Sequence, residues 1–266
     1  MPTARSKTKP STISMMEPKS EPRGASKTNA ADSADSPMTA DAALKMLQDG
    51  NLRWVMDKDE NPNTDPSRRA MLADKGQKPF ATVLTCADSR LPVERIFDRG
   101  VGELFVVRVA GNVAGTSETG TIEYAVEHLK TPLLVVMGHT KCGAVGAAAS
   151  GAALHGALGE LVAGIAPAVD RVKRNNPELD EKQIAPLAVK ENVWQSITDL
   201  FKRSPEIRGA AGKGEIKVVG AVCDISTGKV DWMGEHPWQS ELIEAFNTRA
   251  GRTSPATAAA ESHEEK

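Results

Sequence analysis

Cysteine is scarce in this sequence, three residues among 266, whereas small secreted domains build disulfide frameworks from dense, even-numbered sets. The scarcity excludes such a scaffold and makes reduced thiols, and with them a cytoplasmic location, the expectation. An excess of charge of one sign is equally lacking. Lysine and arginine number 33 against 35 aspartates and glutamates, a formal net charge of −2, so no broad field draws the chain towards nucleic acid or an anionic membrane. No apolar run approaches the ~20 residues of a membrane helix. The N-terminus also lacks the apolar core, roughly 7–15 residues long, of a secretory signal. These absences leave a small-molecule partner, with neither nucleic acid nor membrane.

What is present is enough apolar content, 40%, to fill a sizeable core. Its distribution is uneven. Residues 1–37 are rich in Ser, Thr, Pro, Ala and Lys and cannot offset the entropy of ordering, so a disordered tail is expected there. A targeting peptide is the rival reading, but Glu17, Glu21, Asp32 and Asp35 argue against it. A single domain is expected over residues 38–248, followed by a frayed Ala/Thr/Glu-rich tail over 249–266. Thr39 is placed to cap a first helix, with Asp41 in its first turn and Ala43, Leu44 and Leu47 on one face, a face that needs a packing partner, in this chain or in another subunit.

Beyond that helix the pattern alternates. Phe80–Thr85, Leu104–Ala110, Leu133–Gly138 and Lys217–Val222 are short, apolar and rich in Val, the pattern of strands buried on both faces of a parallel sheet. Helical spacing links Ile122, Ala125, Val126 and Leu129, then Leu158, Leu161, Val162 and Ile165. A third helix is expected over Ile184–Phe201, with Val193, Ile197, Leu200 and Phe201 inward. The fold class is therefore α/β, one domain with a central, mainly parallel β-sheet flanked by helices.

Ligands of open α/β sheets gather at the carboxyl ends of the strands. TCADSR follows one predicted strand and GHTKCGAV ends another, so Cys86, His139 and Cys142 converge if those strands are neighbours. Two thiolates and an imidazole form a zinc ligand set, and with an open fourth position a catalytic one. Gly138 and Gly143 are expected to let the backbone turn tightly around the metal. Cys223 lies within a strand and is assigned to core packing; His128 is placed near a helix end, and His155, His236 and His263 have no partner pattern. A zinc ion held by two thiolates and a neutral imidazole carries no net charge, so its water is less acidic than one held by neutral ligands, and activity should rise towards alkaline pH. Asp88 could take the hydrogen bond of that water, or bind the metal as a fourth ligand and close the site. Arg90 can hold the carboxylate off the metal by a bidentate pair.

CADSR, GELFVVRVAGN, GTIEYAVEHL, GHTKCGAV, the KENV stretch and VVGAVCDISTGKVDW together resemble the β-class carbonic anhydrases, from about Thr39 to Trp232. The resemblance implies zinc on Cys86, His139 and Cys142, Asp88 and Arg90 as a catalytic dyad, and reversible hydration of carbon dioxide to bicarbonate and a proton by zinc-bound hydroxide. It also implies a homodimer or homotetramer. The plant-type branch lines its substrate pocket with Gln, Phe, Val and Tyr. Here Gln77, Phe105 and Tyr124 match, Ala110 stands where that branch has Val, and Gly138 is grouped with them. Some bacterial members bind an inhibitory bicarbonate through Trp, Arg and Tyr. Val83, Arg108 and Cys223 occupy those positions, which implies no cooperative bicarbonate switch. Two alternatives share the fold: a carbonyl sulfide or carbon disulfide hydrolase, against which the intact CADSR argues, and a non-catalytic zinc-binding homologue, against which Arg90 argues.

Overall fold

The structure, a computed structural model, describes residues 38–253, with side chains as far as Arg249. The tail expected over 1–37, and all of the C-terminal tail past Thr253, His263 included, lie outside the described residues. Ten α-helices are described: α1 (Ala40–Val55), α2 (Pro66–Lys75), α3 (Val93–Ile96), α4 (Thr116–Glu127), α5 (Gly143–Ala149), α6 (Gly156–Ala163), α7 (Ala166–Asn175), α8 (Glu181–Arg203), α9 (Pro205–Gly212) and α10 (Gln239–Thr253). Helix α10 thus carries regular structure past Arg249, where the sequence reading begins the tail.

Five strands, β1 (Ala81–Thr85), β2 (Leu104–Arg108), β3 (Leu133–His139), β4 (Lys217–Cys223) and β5 (Val230–Gly234), form one sheet in the order β2-β1-β3-β4-β5. The first four run parallel and β5 closes the edge antiparallel. Every residue of β1 and β3 is buried, as expected for strands covered on both faces. Helix α8 lies along β3 and β4, and the sheet meets it where side chains are missing. A Cβ on Gly138 would come within 2.9 Å of Val193, and one on Gly220 within 2.8 Å of Trp194.

Two sequence expectations are corrected. The strand predicted to reach Ala110 stops at Arg108, because Gly111 (φ 72°) and Asn112 (φ 46°) turn the chain left-handed into a short 3-10 turn over Ala110–Asn112, where Gly and Asn are the residues that tolerate it. The helix expected to join Leu158 to Ile165 is two helices. Helix α6 ends at Ala163 with Leu158 exposed, and Ile165 is buried as the N-cap of α7, whose Pro167 fixes a new helix start.

Thr39 does cap α1, its hydroxyl oxygen accepting the Ala42 N–H at 3.2 Å. The inner face of α1 packs on β3 and α3 of its own chain, with Ala43 and Leu47 fully buried. Gly50 permits this approach, since a Cβ there would overlap the Phe97 carbonyl. Buried Asn51 completes the seat: its Nδ2 donates to the carbonyls of Ile96 (3.1 Å) and Gly228 (2.8 Å), and its Oδ1 accepts the Val230 N–H at 2.9 Å.

Asp98 is a second buried tie. Its carboxylate accepts Arg53 Nε at 2.6 Å and the N–H groups of Glu60 and Asn61 at 2.8–3.1 Å. Burial alone would push its pKa up, but these donors outweigh it and the net shift is down. Asp98→Ala strands two backbone donors and the Arg53 charge, and should cost about 3 kcal/mol at neutral pH. Since the folded-state pKa is depressed, this contribution is full above the unfolded aspartate value of about 3.9 and fades as pH falls through the folded value. Urea melts of parent and variant at pH 7 and in acid test this; a difference below ~0.5 kcal/mol at pH 7 would make the tie dispensable.

Candidate active site

The chain leaves β1 towards β2 on one side, and β3 lies on the other side of β1. The carboxyl ends of β1 and β3 therefore flank a topological switch point, where open α/β sheets bind ligands. Cys86 follows β1, His139 is the last residue of β3, and Cys142 precedes α5. Their Sγ and ring-nitrogen atoms all lie within 4.8 Å of one another, and all three residues are buried.

The surroundings orient these atoms. His139 Nδ1 lies 2.9 Å from the Thr140 carbonyl, which fixes the proton on Nδ1 and leaves Nε2 as a lone-pair donor. Nε2 is buried with no hydrogen-bond partner. Cys86 Sγ accepts the Gly111 N–H at 3.2 Å. A hydrogen bond from Cys142 holds the Cys86 thiol well below its ordinary value, and the same bond together with burial pushes Cys142 up. Two soft sulfurs and an imidazole nitrogen without a partner are a donor set that fits zinc. The turn that brings Cys142 round is made at Lys141, with φ 56°. Neither Gly138 nor Gly143 has a left-handed backbone, which corrects the sequence expectation; Gly138 serves packing beneath α8 instead.

Asp88 stands beside this group, its Oδ2 4.0 Å from His139 Nε2. Arg90 grips both carboxylate oxygens, Nε to Oδ1 at 2.8 Å and Nη2 to Oδ2 at 2.7 Å, and its backbone N–H adds a third bond at 3.0 Å. The Arg90 guanidinium holds Asp88 well below the usual carboxylate range.

Sequence reasoning did not find the supports of this loop. Arg108, which the resemblance places only at a bicarbonate-binding position of some bacterial members, donates to the carbonyls of Cys86 (3.2 Å) and Asp88 (2.6 Å). Asn192 and Ser196 on α8 bond the carbonyls of Gly111 and Asn112 at 2.7 and 2.9 Å. The Gly-Asn pair was the available signal, because consecutive left-handed residues leave carbonyls that need donors. Val83 is fully buried, and buried Cys223 sits in register beside His139 on the neighbouring strand but outside the Cys-His-Cys group.

The carbonic anhydrase family model matches residues 81–230. Carbonic anhydrase 2 of Mycobacterium tuberculosis is 38% identical over 193 residues, covering 71% of this chain and 90% of that protein. The chain belongs to the β-class carbonic anhydrases. A carbonic anhydrase of Pseudomonas aeruginosa is 35% identical to this β-class enzyme, covering 71% of this chain and 86% of that one. Among solved structures, the β-carbonic anhydrase CafA of Aspergillus fumigatus matches with a TM-score of 0.62 at 27% identity, covering 79% and 97% of the two chains. A tetrameric β-carbonic anhydrase of Sordaria macrospora matches at 0.55 and 27%, covering 72% and 96%.

In this carbonic anhydrase the residues grouped as a substrate pocket do not all gather. Ala110 adjoins the Gly111 N–H that reaches Cys86. Phe105 pairs with Thr82, near the far end of β1, and its ring meets that of half-exposed Tyr124 at 6.0 Å. Gln77 is exposed ahead of β1, at the opposite end of that strand from Cys86.

Proposed function

We propose that this enzyme carries out reversible hydration of carbon dioxide to bicarbonate and a proton, with Cys86, His139 and Cys142 holding a zinc ion and with Asp88 and Arg90 as its dyad. The observation that carries the reading is the two-pronged grip of Arg90 on a carboxylate 4.0 Å from His139 Nε2. Zinc bound there would supply the Lewis acidity that makes water nucleophilic far below the pH at which bulk water ionises. Cys86 and Cys142 serve as thiolates, and the Thr140 carbonyl keeps His139 in the tautomer whose Nε2 can ligate. Asp88, kept ionised by Arg90, accepts a hydrogen bond from the attacking water and aims its lone pair at the carbon. Arg90 holds both carboxylate oxygens, so Asp88 stays an acceptor and does not become a ligand. Its half-exposed guanidinium leaves the dyad open to solvent, which takes the released proton.

In this reading Gln77, Phe105 and Tyr124, which stand away from the chain's own cluster, complete the pocket of a second copy, and Ala110 serves its own chain. The enzyme then works as a dimer or a larger even assembly. The tetrameric state named for the Sordaria relative is in keeping with this.

Stopped-flow hydration of carbon dioxide, run beside a carbonyl sulfide assay with zinc analysis of the same sample, tests the proposal. About one zinc per chain, rapid hydration and negligible carbonyl sulfide turnover are expected. Preferential turnover of carbonyl sulfide would reassign the substrate. A zinc-loaded protein without hydration activity would make it a non-catalytic homologue.

A further inference from the structure

A cavity of about 600 Å³ opens between the first half of α8, the end of β4 and the turn that carries Cys142. Its size lies in the range of small-molecule sites, which combine apolar walls with a few polar groups. Ala185, Pro186 and Val189 of α8 face Val222 of β4 across it, so the interior is apolar. Three lysines stand at its mouth. Lys182 and Lys190 flank Pro186 on α8, and Lys141 rises from the left-handed turn opposite, within 3.4 Å of the Ser226 hydroxyl.

The charges of the lining are unequally satisfied. Asp224 accepts the Ser226 N–H at 2.7 Å, and Asp231 pairs with Lys229 at 3.3 Å. The side chains of Lys182 and Lys190 have no hydrogen-bond or ion-pair partner among the described residues. Eight residues apart on a helix, they are separated by about 12 Å along its axis, and their flexible stems let both ammonium groups meet above Pro186.

We propose that this cavity binds a small organic anion, an apolar body carrying a carboxylate or sulfonate, with the body between α8 and β4 and the anionic group on Lys182 and Lys190. Bicarbonate has no apolar part to fill such a space. None of Asp88, Arg90, Ala110 or His139 lines it, so it is distinct from the carbon dioxide site proposed for its own chain. Cys142 belongs both to its wall and to the Cys-His-Cys group, so an occupant lies beside that group.

The test uses the full-length protein and 8-anilinonaphthalene-1-sulfonate, whose fluorescence reports transfer to an apolar site. Saturable binding at a single site is expected. The double variant Lys182→Glu/Lys190→Glu should weaken it about tenfold or more, since charge-assisted bonds are lost and repulsion replaces them. Both lysines are exposed, so the variant should keep the parent circular dichroism spectrum. N-phenyl-1-naphthylamine, a closely similar body without the sulfonate, should bind about tenfold more weakly than the sulfonate. Ala185→Trp, which fills the cavity and keeps the lysines, should abolish binding. Unchanged affinity in the double variant, equal affinity for the neutral analogue, or undiminished binding to Ala185→Trp would each overturn the proposal.

Discussion

Cys142→Ala is expected to fold, to carry no zinc, and to hydrate carbon dioxide at least ~10³-fold more slowly than the parent, since only two of the three proposed ligand side chains then remain. The thiol is buried and small, so alanine leaves little void, and the structural cost should be near 1 kcal/mol. The loss would then be one of metal binding, readable by elemental analysis independently of activity. Cys223→Ala is the matched control. That thiol is also buried, lies on the strand beside His139, and has its pKa pushed up to about 11 by burial, yet it stands outside the group of three. It should keep zinc and rate together. Full zinc occupancy in Cys142→Ala would remove Cys142 from the ligand set.

Asp88→Asn should give the second largest effect and the opposite pattern, zinc retained and turnover reduced by about 10²–10³. An amide can accept through its oxygen, but it carries no charge for Arg90 to hold and presents NH₂ where the second carboxylate oxygen stood. Metal content and kcat measured on one preparation separate the roles. A parental rate would end the dyad assignment, and loss of zinc would make Asp88 part of the metal-holding framework.

The parts of this fold that can be read from the chain are those in which burial writes a pattern. The buried apolar runs of β1, β3 and β4 and the capped start of α1 belong to that class. Helix α2 buries none of its residues, so it has no apolar face for periodicity to detect. Between Gly143 and Gly164 alanine and glycine dominate, and the apolar contrast that would mark where α5 and α6 begin and end is weak. The Cys-His-Cys group was legible because its three residues fall at or just past strand ends, which the strand pattern itself locates. The pocket was not. Gln77 and Cys86 are nine positions apart, close in sequence, yet the extended strand between them advances about 3.3 Å per residue and sets them at opposite ends of β1.

The three bonds of Asn51 also constrain the order in which the chain assembles. One spans 45 residues, to Ile96, and the others span 177 and 179, to Gly228 and Val230. Helix α1 is the first described element to be synthesised, yet the groups that complete its seat belong to the turn before β5 and to the first residue of β5, made 177 and 179 residues after Asn51. Closing loops of that length carries an entropic cost that later contacts must offset. Until residues 228–230 exist, α1 lacks two of the three partners of its buried asparagine. A nascent chain therefore carries Asn51 without its full set of partners until residues 228–230 are made, the stage at which a loosely seated α1 is open to association with other chains.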